Sequence, residues 1–113
     1  MPRASVDVGY ILVQHLVEEA EEGGYVSTCP ELGIASQGES VGEALNNLRD
    51  ATYTFLNTIE QLGDREEFFR RRNIVVHSTR PRTKMRIDLE PSHAVSAFVA
   101  AVPRHSASLV SLP

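Results

Sequence analysis

Asp7 lies in an apolar, β-branched run, while Glu43 and Asp50 lie about two turns apart in a helical pattern. Carboxylates brought together from a strand and a helix can hold two metal ions for phosphodiester cleavage, provided that further acids converge on the same point. The run Ile74 to His77 supplies none, Glu43 is accounted for as a helix cap, and Asp50 falls between the apolar positions Leu48 and Ala51-Thr52. No catalytic residue is therefore expected. His15, His77, His93 and His105 show no spacing that sets two ligands on one helical face, and the single cysteine has no thiol partner, so neither a metal nor another cofactor is expected. Cys29, beside Pro30 and with no basic residue near it in sequence, reads as a small buried apolar group rather than a nucleophile. Ser36-Gln37-Gly38 has one glycine and no downstream lysine, and reads as a strand-to-helix turn rather than a phosphate loop.

With chemistry set aside, charge distribution bears on binding. The net charge is −4, yet residues 1–63 carry ten acids against two bases while residues 64–113 carry five acids against nine bases. The densest acidic group, Glu18, Glu19, Glu21 and Glu22, is the candidate surface for a basic partner, with solvation of a turn as the plain alternative. Arg70, Arg71, Arg72, Arg80, Arg82, Lys84 and Arg86 are the candidate nucleic-acid contacts. The triple arginine also has a purely structural reading, because cations favour the negative end of a helix. Tyr25, Tyr53, Phe55, Phe68 and Phe69 read as core rather than as a platform for stacked bases.

The elements that would position these residues are legible from periodicity. Val6 to Val17 and Tyr25 to Cys29 read as strands joined by a hairpin at Glu21-Glu22-Gly23-Gly24, and Ile34 to Gln37 reads as a third after Pro30 ends the second. Ser40 and Glu43 form a capping box. Val41, Ala44, Leu45, Leu48, Ala51, Thr52, Phe55, Leu56, Ile59 and Leu62 then follow one helical face to a terminal Gly63. A shorter helix is expected from Asp64 to Arg72, and strands are expected at Ile74 to His77 and at Lys84 to Leu89, whose residues alternate strictly. The expected class is α+β in the order β-β-β-α-α-β-β, a small, mainly antiparallel sheet with one long helix on it. It occupies residues 1–90 as one domain, and residues 91–113 form a tail in which His93 to Val102 has the content of one short helix.

A length of 113 residues with 42% apolar content suits a single modest core. No run approaches a membrane span and Met1 to Ser5 lead into a strand pattern, so a cytoplasmic protein is expected.

From Gly24 to Ala51 the chain reads GYVSTCPELGIASQGESVGEALNNLRDA. The aromatic start of a strand at Tyr25, Pro30-Glu31-Leu32, the turn Ser36-Gln37-Gly38-Glu39-Ser40 and the helix opening Glu43-Ala44-Leu45-Asn46 together resemble the HicB-like antitoxin family. Two departures are plain: Leu32 runs directly into Gly33 where many members insert a proline, and residues 83–113 lack the complete DNA-binding domain that full-length relatives often append. The resemblance implies a partly degraded RNase H-like domain that sequesters HicA, a small RNA-cleaving toxin, and that self-assembles as a homodimer or higher oligomer. The leading expectation is thus a non-catalytic antitoxin. A DNA-binding autoregulator, alone or with the toxin, is the alternative, and a divergent RNase H-like nuclease comes third.

Overall fold

The computed structural model describes residues 7–83, 87–90 (backbone only) and 93–104. The chain runs β1 (Val8–Glu19), β2 (Tyr25–Cys29), β3 (Ile34–Gly38), α1 (Val41–Leu62), α2 (Arg65–Arg71), β4 (Ile87–Glu90) and β5 (His93–Pro103). The fold is α+β: one five-stranded sheet in the order β3-β2-β1-β5-β4, antiparallel throughout, with the long helix α1 across one face.

Each boundary has a local cause. The β1–β2 turn closes where the Ala20 N–H donates to Gly24 O at 2.9 Å. The capping box forms: Ser40 Oγ accepts from the Glu43 N–H at 3.1 Å, and Glu43 Oε1 accepts in return from the N–H of Glu39, one residue before the cap. At the far end Gly63 sits at φ 76°, a left-handed conformation that costs glycine little, and Asp64 N–H closes back on Ile59 O at 2.9 Å.

Ala44, Leu48, Thr52, Leu56 and Ile59 are the residues that α1 buries. Three of them, Leu48, Leu56 and Ile59, share a core with Ile11 and Val13 of β1, Cys29 of β2, Ala100 and Val102 of β5, Leu32 and Phe69. Leu62, placed on the same face by periodicity, is 67% exposed.

Two of the expected elements change. Residues 93–103 form a strand, not a short helix: β5 pairs with β1 from Glu18↔His93 to Val8↔Pro103, so the α+β unit runs past residue 90. Alternation explains the change. Ala94, Ser96, Phe98, Ala100 and Val102 stand opposite the inward residues of β1, and alanine's helix preference yields to a long unpaired strand edge. Ile74 to His77 is not a full strand but a single bridge, Tyr10↔His77, with bonds of 2.9 and 2.7 Å. Of the expected strand Lys84 to Leu89 the structure describes residues 87–89, all in β4, and residues 84–86 lie outside the described part. Among the described residues no helix is long and apolar enough to cross a membrane.

Candidate functional site

The residues that carry the family resemblance serve the fold. Pro30 ends β2, and the Glu31 carboxylate then accepts the Gln14 N–H of β1 at 3.1 Å, occupying a ladder position that β2 no longer reaches. Leu32 is buried in the core. Gly38 lies so close to the opening of α1 that a Cβ there would stand 2.5 Å from Ala44 N, which no larger residue tolerates without a backbone shift. Ser27 Oγ donates to Ala44 O at 2.8 Å, and Asn47, the residue after Asn46, donates to Gln37 O at 2.7 Å. The signature is thus a clamp between the sheet and the start of α1.

The four glutamates stand together at one end of the sheet. Glu18 and Glu19 close β1 opposite Val26 and Tyr25, Glu21 and Glu22 lie in the turn, and all four are exposed. Glu18 lies 3.8 Å from His93 of β5. Strand pairing holds the backbone of Glu18 and Glu19 and brackets the turn that carries Glu21 and Glu22, while all four side chains face water, an arrangement suited to a charged docking surface.

The arginines are dispersed by comparison. Arg70 pairs with Glu67, and Arg71 reaches the same carboxylate at 3.4 Å. Arg72 covers the Phe68 ring at 5.0 Å and donates to Glu31 O at 3.4 Å. Arg80 lies over the Tyr10 ring at 6.0 Å, Arg82 is exposed in the following loop, and Lys84 and Arg86 lie outside the described residues. The carboxylates weighed for metal chemistry are also apart: Asp7 lies 3.5 Å from Arg104, Glu43 serves the cap, and Asp50 is exposed on α1. Among the described residues no three metal-binding side chains come together.

Two groups escaped sequence reasoning. His15 is buried on β1, its ring stacked on Phe98 at 4.3 Å between centroids and its Nε2 3.2 Å from Thr52 Oγ1. Burial holds its pKa down to about 4. Arg65 is buried at the start of α2, paired with Glu60 at 3.3 Å and donating to the carbonyls of Pro103 and Arg104. A cation in the first turn opposes the helix dipole, and that was the one sequence cue that Arg65 answers to a tertiary partner. Cys29 is buried, and burial, with the nearby Glu31 carboxylate, pushes its thiol pKa up to about 11. It is a poor nucleophile at neutral pH.

No family model, curated protein or solved structure matches the chain.

Proposed function

We propose that this protein is a HicB-like antitoxin, with an RNase H-like ancestry, that acts in the cytoplasm by occluding a small basic HicA-type RNase and carries out no chemistry of its own. The observation that supports the reading is the exposed group Glu18, Glu19, Glu21 and Glu22 on a hairpin end braced by the sheet. An RNase surface that attracts phosphates is basic, so an acidic hairpin both steers the encounter and competes with RNA for the same cations. Because the hairpin backbone is already ordered by β1 and β2, docking does not have to fix a mobile loop. A second copy of the chain pairs along the outer edge of β4, which among the described residues has a neighbour only in β5. The alternative reading, a DNA-binding autoregulator acting alone or with the toxin, draws on the basic residues Arg70, Arg71, Arg72, Arg80 and Arg82, all of them exposed.

The test uses a purified HicA-type toxin and the full chain. The parent suppresses RNA cleavage and associates faster at low salt than at high salt. Reversing the four glutamates to lysine leaves circular dichroism unchanged, slows association by on the order of tenfold or more at low salt and removes the salt dependence. Unchanged rates and salt slope would remove the hairpin from the interface, and failure of the parent to inhibit would end the antitoxin reading.

A further inference from the structure

Side chains alternate across a strand, and α1 takes one side of the sheet, so the residues of β1 that it does not bury, Leu12, Gln14, Leu16 and Glu18, stand on the other. Pairing sets Val26 and Thr28 of β2, Ala35 and Gln37 of β3, and Ala97 of β5 on that same side. Among the described residues no helix lies over it, since α2 packs on α1. At one end of this face Arg80 covers the Tyr10 ring, and beyond it Leu12, 43% exposed, begins an open part that runs to the hairpin.

The open part has the wrong composition for a surface that only meets water. The solvent side of an antiparallel sheet is ordinarily polar. The solvent side of α1 keeps to that rule, with Glu43, Arg49, Asp50 and Asn57 exposed. On the sheet, Leu12, Leu16, Val26, Thr28, Ala35 and Ala97 stand with two uncharged glutamines. In β1, β2, β3 and β5 the side chains on this face that can carry charge at neutral pH are Glu18 and His93, 3.8 Å apart at the hairpin end. An apolar centre with a polar rim is the anatomy of a protein interface.

The rim decides what fits. Glu18 stands on the face itself, and Glu19, Glu21 and Glu22 continue it around the hairpin end. A second copy would bring the same acids and the same net charge of −4, whereas a basic partner gains from them. With strands about 4.8 Å apart and the run from Leu12 to Glu18 rising about 3.3 Å per residue, the face measures at most roughly 400 Å², against ~800 Å² on each side of a standard interface. It is a centre that needs the hairpin as its continuation.

We propose that this sheet face is the apolar centre of the interface whose rim is the acidic hairpin, and that it takes an apolar patch set within the basic surface of a small RNase. The proposal rests on the antitoxin reading and adds a division of labour to it: the glutamates set the rate of association and the leucines set the lifetime of the complex.

Binding kinetics with a purified HicA-type toxin and the full chain test it. Leu12→Gln with Leu16→Gln removes apolar surface without altering charge, so dissociation should quicken roughly tenfold or more while the association rate and its salt dependence stay within about twofold of the parent's. Ala35→Gln with Ala97→Gln, both exposed, keeps the leucines, lengthens side chains on the strands that flank β2 and β1, and should quicken dissociation in the same way. Circular dichroism and thermal melts show which variants are folded. Unchanged dissociation in the folded variants, or an effect confined to the association rate, would overturn the proposal and leave the antitoxin reading standing; a parent that does not bind the toxin would overturn both. Light scattering on the free chain tests the other occupant: an oligomer that the leucine variant converts to monomer would make the face a contact between copies and overturn the proposal.

Discussion

Nε2 of His15 on β1 lies 3.2 Å from Oγ1 of Thr52 on α1, a hydrogen bond that joins the sheet to the helix through two side chains that are almost completely buried. Burial disfavours the charged imidazole. The unfolded chain takes up this proton near pH 6.5 and the folded chain only near pH 4. Stability from this group is therefore complete above about pH 6.5 and is lost progressively as pH falls towards 4, by on the order of 3 kcal/mol. Urea unfolding at pH 7.5, 6 and 5 should show the midpoint falling, and His15→Gln should flatten that dependence. An equally steep fall in the variant would assign it to other groups.

Leu48 is fully buried under the sheet, whereas Phe55 is half-buried with its ring against Phe68, centroids 5.2 Å apart. Leu48→Ala should lower stability by about 2 to 5 kcal/mol, and Phe55→Ala by less than Leu48→Ala. Thermal melts of both variants check the order. The reverse ranking would mean that α1 is rotated on the sheet.

Arg65→Ala removes a buried guanidinium that serves the Pro103 and Arg104 carbonyls and pairs with Glu60. Removing one member of such a buried cluster costs about 3 kcal/mol or more. Hydrogen exchange should quicken first at the Pro103 end of β5. Uniform acceleration along the strand would show that Arg65 does not anchor that end.

Pairing along the β4 edge predicts a homodimer at micromolar concentration by light scattering, with slowed exchange at the amides of residues 87–90. A monomer over that range would leave the edge unpaired and refute the assembly.

The α+β class, the hairpin, α1 and both ends of α1 were legible because each rests on local chemistry: Gly23-Gly24, Ser40 with Glu43, and Gly63 act within a few residues of themselves. The acidic hairpin end was legible for the same reason. What was not legible depends on partners far along the chain. His93 to Val102 reads as helix until β1 is placed beside it, and Asp64 begins α2 without the side-chain cap its type suggests.

The middle of the sheet is made by β1 and β5, which pair from Glu18↔His93 to Val8↔Pro103 across nearly the whole described chain. During synthesis β1, β2, β3 and α1 emerge first, and β1 waits with one long edge open until residues 93–103 leave the ribosome. Such distant pairing slows folding and exposes an adhesive strand in the interval. If the partner is an RNase made from the same message, the timing of that closure sets the delay before a newly made inhibitor is competent, and a chain cut at residue 90 would never reach that state.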